Sequence, residues 1–348
     1  MVADHNDVRV ADGVGPWPMN RRADGARAST ALVYLTPARG RPNLVIRPDA
    51  AAARVLLEDG RAVGVELTGG ETLGARRGVV LCAGAIGTPA ILLRPGIGPA
   101  AELAALGIVP VLDRPGVGAR LWDHPTVPVR LVPRQGQCDP KRDPRFQIVA
   151  RLAASGAGGR DLILVLVSFL DLDAFPALRA EAGRAPVVAL VNAALMSPRG
   201  HGRLRLADAD PQTPPVIELG FGGDPEDLGA LLEATRLAWR IASSAPVARE
   251  IERVAGLDEE TVRSNARLRD YVLANLGSFN HACGTAPMGP DADPLAVADQ
   301  RGRVRGVEGL WIADASLMPL GVSVPLNLTV IALGERVAAW LRADGGTP

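Results

Sequence analysis

Apolar runs punctuated by glycine and proline mark out the elements of this chain. A loop-like opening rich in Gly, Asp and Pro reaches Pro16. From Arg22 the chain leads into an apolar helical run ending near Leu35. Arg41–Ile46 predicts a short buried strand, and Arg54–Glu58, Ala62–Leu67 and the Gly-Gly turn before Glu71 predict a β-meander. Val79–Gly84 is a near-continuous apolar strand, the kind buried on both faces of a parallel sheet. It runs into a glycine turn and a helix, for which Thr88 and Pro89 predict the cap and first turn and Gly96–Pro99 the stop. Leu162–Leu170 and Pro186–Met196 read as buried strands, and Gly202–Leu206 alternates in polarity as a half-exposed strand should. Asp224–Ile241 is an amphipathic helix, apolar at Leu228, Leu231, Leu232 and Leu237, with an acidic start and arginines in later turns. Glu259–Ala274 predicts a further helix. Val324–Ala338 is a proline turn opening an amphipathic helix, with Asn327 at its cap.

Composition narrows the classes. The 348 residues suit about two domains with a sizeable core. A hydrophobic content of 47% and a mean hydropathy of +0.14 fit a soluble globular protein. The net charge of +0 points to neither nucleic acid nor an anionic membrane. Lys141 is the one lysine, so 38 − 1 leaves 37 arginines, which reads as a codon-usage bias. Cys82, Cys138 and Cys283 form no C-x-x-C pair, so neither a disulfide framework nor a zinc site is expected, and the cytoplasm is the default compartment. Met1–Asn20 lacks the pattern of a signal peptide, and no apolar run is long enough to span a bilayer.

The chemistry-bearing stretch is Phe279-Asn280-His281-Ala282-Cys283-Gly284-Thr285-Ala286-Pro287-Met288-Gly289. Small residues let something large and flat approach, glycines let the backbone bend beneath it, and a histidine beside that space can act as a general base. Taken alone, the pattern is also that of a buried histidine in a tight turn. Two later pieces change its meaning: Gly309-Leu310-Trp311-Ile312-Ala313-Asp314-Ala315-Ser316-Leu317-Met318-Pro319, and Pro325-Leu326-Asn327-Leu328-Thr329. Together the three resemble the C-terminal end of the GMC (glucose–methanol–choline) flavoprotein oxidoreductases. Gly84–Pro99 looks like the second signature of that family, with Pro95 in place of its serine. Pro115–Pro125 is similar to its G-V-G-x-N-L-x-D-H-P run, with Arg120 in place of asparagine. His124 reads there as a residue that pins a loop, and His201 as a surface residue.

The resemblance implies an α/β fold: an FAD-binding sheet domain (residues 27–118 and 279–348) with a mainly antiparallel substrate domain (119–278) inserted, and 1–26 a loop remnant. It implies oxidation of a small-molecule alcohol by hydride transfer to FAD, with a further acceptor for the electrons. His281 would take the hydroxyl proton and Asn327 would orient the hydroxyl, as in the asparagine branch that includes choline-oxidising enzymes. Asp314 and Ala315 would lie by the pyrophosphate and ribityl chain, and Ala52 would meet the adenine through its backbone. The N–H groups of Leu328 and Thr329 would face the flavin's pyrimidine edge. One family feature is missing: no strand–G-x-G-x-x-G–helix unit for the ADP half of FAD occurs in the 348 residues. Gly96–Ala101 follows a helix, and Gly116-Val117-Gly118 leads into a loop. The expectation is therefore an enzyme lineage whose ADP-binding portion lies outside these residues or on a separate chain. The alternative is a non-catalytic remnant or interaction protein.

Overall fold

The structure, a computed structural model, describes residues 12–153, 162–183 and 185–343. The first residues of the opening loop lie outside the described residues.

Most of the middle of the chain forms one antiparallel sheet. Its strands are β1 (Gly13–Pro16), β6 (Pro125–Pro133), β7 (Phe146–Leu152), β8 (Leu162–Asp171), β9 (Val187–Leu195) and β10 (Ile251–Ala255). They lie in the order β1-β7-β8-β9-β6-β10, and β11 (Gly277–Ser278) also pairs with β6. The period of two along each strand divides the side chains between two cores. Leu162, Leu164, Val191 and Ala193 face helix α2 (Pro225–Ala242), meeting its Leu228, Leu231 and Ala238. Ile163, Val165, Val188 and Met196 face the opposite way, against Trp17 and Phe279. Being buried on both sides, β8 and β9 read as continuous apolar runs although their neighbours are antiparallel. Asp224 caps α2 by accepting from the N–H groups of Glu226 and Asp227.

The other half of the molecule is built from smaller sheets. The expected meander is present as β2 (Ala52–Glu58), β3 (Arg61–Leu67) and β4 (Thr72–Gly74). Strand β5 (Val79–Leu81) pairs in parallel with β12 (Leu310–Ile312), although the two strands are more than two hundred residues apart in the chain. Helix α1 (Gly84–Leu93) follows β5, and α5 (Asn327–Ala343) closes the chain; Leu92, Ile97, Leu310, Ile312, Leu317 and Val337 share one core beneath them.

Four expectations need correction. Arg41–Ile46 is no strand: the Leu44 N–H turns back to the Arg41 carbonyl at 3.1 Å, and Val45 is 81% exposed, with no partner edge to pair with among the described residues. Strand β5 is shorter than expected and buried on one side only, since Val80 is 42% exposed. Helix α1 begins at Gly84, so Thr88 and Pro89 lie inside it. Proline lacks the N–H that would reach the Ala85 carbonyl; the Thr285 hydroxyl donates to that carbonyl instead, at 2.6 Å. The expected helix over 259–274 breaks at Ser264 into α3 (Glu259–Arg263) and α4 (Asn265–Asn275), with the Ser264 hydroxyl capping the second.

Candidate active site

Residues 121–126 run antiparallel to 277–283, and this pairing builds the site. Gly277 pairs with Thr126, Phe279 N–H donates to the His124 carbonyl at 3.0 Å, and Trp122 and Cys283 exchange N–H···O bonds of 3.0 and 2.9 Å. Between them the chain turns at Asn280, held at a φ of 62°, a left-handed conformation that asparagine tolerates. The carboxylate of Asp123, 4% exposed, clamps the turn. It accepts from the His124 N–H at 2.7 Å, from the His281 N–H at 3.0 Å and from the Ser278 hydroxyl. Phe279 packs beside both imidazoles, with centroids 4.7 Å from His281 and 6.5 Å from His124.

The two imidazoles meet edge to edge. His281 Nδ1 lies 2.9 Å from His124 Nδ1, and His124 Nε2 lies 3.0 Å from the Val322 carbonyl. Burial, with His124 alongside, pushes the His281 imidazole down to about 4. Burial also lowers His124, partly offset by the Val322 carbonyl, the Asp123 carboxylate and the Met196 carbonyl. Both rings are therefore neutral at neutral pH. The contact with Val322 ties this pair to the loop before α5. The next residue in that loop, Ser323, accepts from the buried Arg151 of β7 at 2.9 Å, so the large antiparallel sheet grips the same loop. Cys283, Met318 and Leu326 then form a small buried cluster with Trp122, Ala315 and Val330. Burial, with Asp123 nearby, pushes the Cys283 thiol up to about 12, so it serves as apolar filling and not as a nucleophile.

A second feature adjoins the first. The carboxyl ends of the parallel strands β5 and β12 lie together, the position where open α/β sheets bind ligands. Asp314 follows β12 and is 5% exposed. It accepts from the Gly84 N–H at 3.0 Å, the Thr88 hydroxyl, the Ser316 N–H at 2.8 Å and the Ser316 hydroxyl at 2.6 Å. All its acceptor capacity is used internally, so Asp314 locks the start of α1 onto the end of β12 and leaves its neighbours' backbone to meet a ligand. The surface there is cut from small residues: Cys82 and Ala83 are exposed, and Gly84, with φ 77°, has open space where a Cβ would stand. Such a cradle, with a helix N-terminus opening into it, fits an anionic or flat group, as flavin and its pyrophosphate are.

Of the residues singled out from the sequence, His281, Ala315, Asn327, Leu328 and Thr329 belong to segments that meet around the Cys283–Leu326 cluster. Asn327 is the first residue of α5 and is exposed, as is Leu328 at 65%. Asp314 is the buried lock just described. Ala52 lies apart, at the start of β2 against the larger core. Asp123 and His124 were not read from the sequence as parts of the site; their signal was the Asp-His-Pro run itself, whose buried acid next to a histidine has a purpose only when a second segment arrives to be clamped. His201 is exposed, as expected, with its ring 5.1 Å from Trp122. Two clefts in the described surface lie elsewhere: one of ≈ 320 Å³ is lined by Leu93, Leu106 and Arg205, the other of ≈ 490 Å³ by Arg94 and Val109. Neither contains a group suited to the chemistry of His281. Among the described residues no cluster of His, Cys, Asp and Glu could hold a metal, and no helix is long and apolar enough to cross a membrane.

Comparison with known proteins adds to this geometry. Residues 3–126 match the N-terminal and residues 198–334 the C-terminal model of the family described as GMC oxidoreductase. The 5-(hydroxymethyl)furfural oxidase of Methylovorus sp. (strain MP688) is 37% identical, over 97% of this chain and 64% of the relative. Choline oxidase of Arthrobacter globiformis is 32% identical, over 96% and 62%. Among solved structures, pyridoxine 4-oxidase from Mesorbium loti superposes with a TM-score of 0.83 at 28% identity, covering 95% of this chain and 64% of that one. The chain thus spans under two thirds of the length of each of these three relatives.

Proposed function

Since this chain belongs to the GMC oxidoreductase family, we propose that it supplies the alcohol-oxidising half of an FAD-dependent enzyme, with His281 as its general base. Bound FAD contributes the acceptor for the hydride that leaves the alcohol carbon. The Ala52 backbone would hold the adenine, the backbone of Asp314 and Ala315 the pyrophosphate and ribityl chain, and the N–H groups of Leu328 and Thr329 the pyrimidine edge. Those last N–H groups sit in the first turn of α5, outside the helix's own hydrogen-bond ladder and at its positive end, which favours negative charge.

His281 takes the hydroxyl proton. Its depressed pKa keeps the imidazole in the unprotonated form that a base requires. Asn327 orients the same hydroxyl by a hydrogen bond from the start of α5. The observation that carries this reading is the convergence of two segments: His281 is tied through His124 to Val322, and Cys283 packs on Leu326, which precedes Asn327. The substrate is a small-molecule alcohol, and the three free cysteines suit a reducing compartment such as the cytoplasm.

The ADP half of the cofactor needs a strand–G-x-G-x-x-G–helix unit that these residues do not contain. We assign it to an additional ADP-binding portion. The test is to assemble this chain with such a unit of the family, verify FAD uptake, and add a panel of primary alcohols anaerobically. Alcohol-dependent loss of the yellow colour is expected. An assembled yellow complex that no alcohol bleaches would leave the chain a non-catalytic core.

A further inference from the structure

The ring of His124 lies against that of His281 and decides which of its nitrogens is free. The Val322 oxygen can only accept, so His124 Nε2, 3.0 Å away, carries the proton and donates it. A neutral imidazole has one N–H, and at 2% exposure, with burial working against a charge, His124 is neutral. Its Nδ1 is therefore bare and must accept. The atom facing it at 2.9 Å is His281 Nδ1, which in turn must donate. The opposite assignment would set a bare Nε2 lone pair against the Val322 carbonyl oxygen, or place a full charge on the buried ring. Both are unfavourable.

We propose that His124 is a positioning residue that locks His281 in its Nδ1–H tautomer and so leaves the Nε2 lone pair as the proton acceptor of the site. This rests on the reading of His281 as the general base. In the proton-transfer step the O–H bond of the alcohol breaks, an Nε2–H bond forms, and the oxygen keeps the electron pair. The proton on Nδ1 stays where it was. The His281 imidazolium that results donates to the bare Nδ1 of His124 through a charge-assisted bond, stronger than the neutral one it replaces. Asp123 fixes the backbone of both rings and so sets their separation. The relation between these groups is that of a base and its orienting partner, with an imidazole in the place where a carboxylate is common.

The chain has only four histidines, His5, His124, His201 and His281, so nitrogen NMR of the full chain labelled at the imidazoles can test this directly. Near neutral pH, His281 is expected as the Nδ1–H form and His124 as the Nε2–H form, each assigned by single replacement. His124→Asn keeps an acceptor oxygen close to the position of Nδ1 and should preserve the His281 tautomer; His124→Phe removes the acceptor and should release it. A wild-type His281 protonated at Nε2 would overturn the proposal. So would an unchanged Nδ1–H form in a folded His124→Phe chain. If the phenylalanine variant does not fold, the wild-type and asparagine spectra still decide. The readout involves no turnover, so a correct tautomer pattern in a chain that oxidises no alcohol would refute the proposed function and leave the lock standing.

Discussion

At the scale of single residues, the turn that carries His281 is held by buried polar groups that the fold itself pairs. Asp123 serves three donors at once. Asp123→Ala should cost on the order of 3 kcal/mol, because it strands buried N–H and O–H groups; a shift of the urea midpoint without a change in slope would measure it. The histidines make stability depend on pH. Unfolded, His281 titrates near its ordinary 6.5, and folded it is held down at about 4. Its contribution is complete above pH about 6.5 and is lost as pH falls toward about 4, because the unfolded chain takes up the proton first. His124, also lowered, adds in the same direction. The urea midpoint should therefore fall through that window, and His281→Gln should flatten the slope. A midpoint that rises on acidification would contradict this. His281 was legible in the sequence as a candidate base only through the two later pieces that accompany it, since alone its stretch is equally that of a buried histidine in a tight turn. Its partner was not: a histidine beside an aspartate in a loop can be satisfied in many ways, and only the pairing of 121–126 with 277–283 selects one.

At the scale of elements, period and turn residues gave the strands well wherever burial alternates or is complete, as in β2–β4, β8 and β9. They failed where a tertiary partner overrides the local signal. Thr88 and Pro89 have the chemistry of a helix start, but the Thr88 hydroxyl is used by Asp314 and the carbonyl freed by Pro89 is used by Thr285. That coupling is measurable. Thr285→Val should destabilise the chain by about 1–2 kcal/mol through the unpaired Ala85 carbonyl, and by less in a Pro89→Ala background, where a backbone N–H can return to that carbonyl. Equal costs in both backgrounds would show that the two residues act independently. Arg41–Ile46 failed for the opposite reason: it has the composition of a strand and no neighbouring edge among the described residues.

At the scale of the molecule, several large apolar side chains stand at the surface. Leu32, Val33, Leu35, Val45, Ile46, Val80 and Leu328 are all at least 39% exposed. The β5–β12 pair is a parallel sheet of two strands, a kind normally covered on both faces. Both observations accord with the absence of a glycine-rich strand–helix unit from the sequence. The isolated chain is expected to purify colourless or with weak FAD binding; a stable, stoichiometric flavin spectrum would show that these residues hold the whole cofactor unaided. The overall architecture was legible because its motifs sit at strand ends and helix starts. The burial of Asp314 was not, since a motif position says which segment approaches a cofactor and not which of its atoms remains available.

The central proposed step is the passage of a proton from the substrate to the ring at position 281. The most direct measurement compares alcohol-dependent flavin reduction by the assembled wild-type protein with that of His281→Ala, under anaerobic conditions that isolate this half of the reaction. The predicted result is a rate lower by roughly 10²–10⁴-fold with FAD binding retained. A variant that binds FAD and reduces it within a few-fold of the wild-type rate would contradict the account.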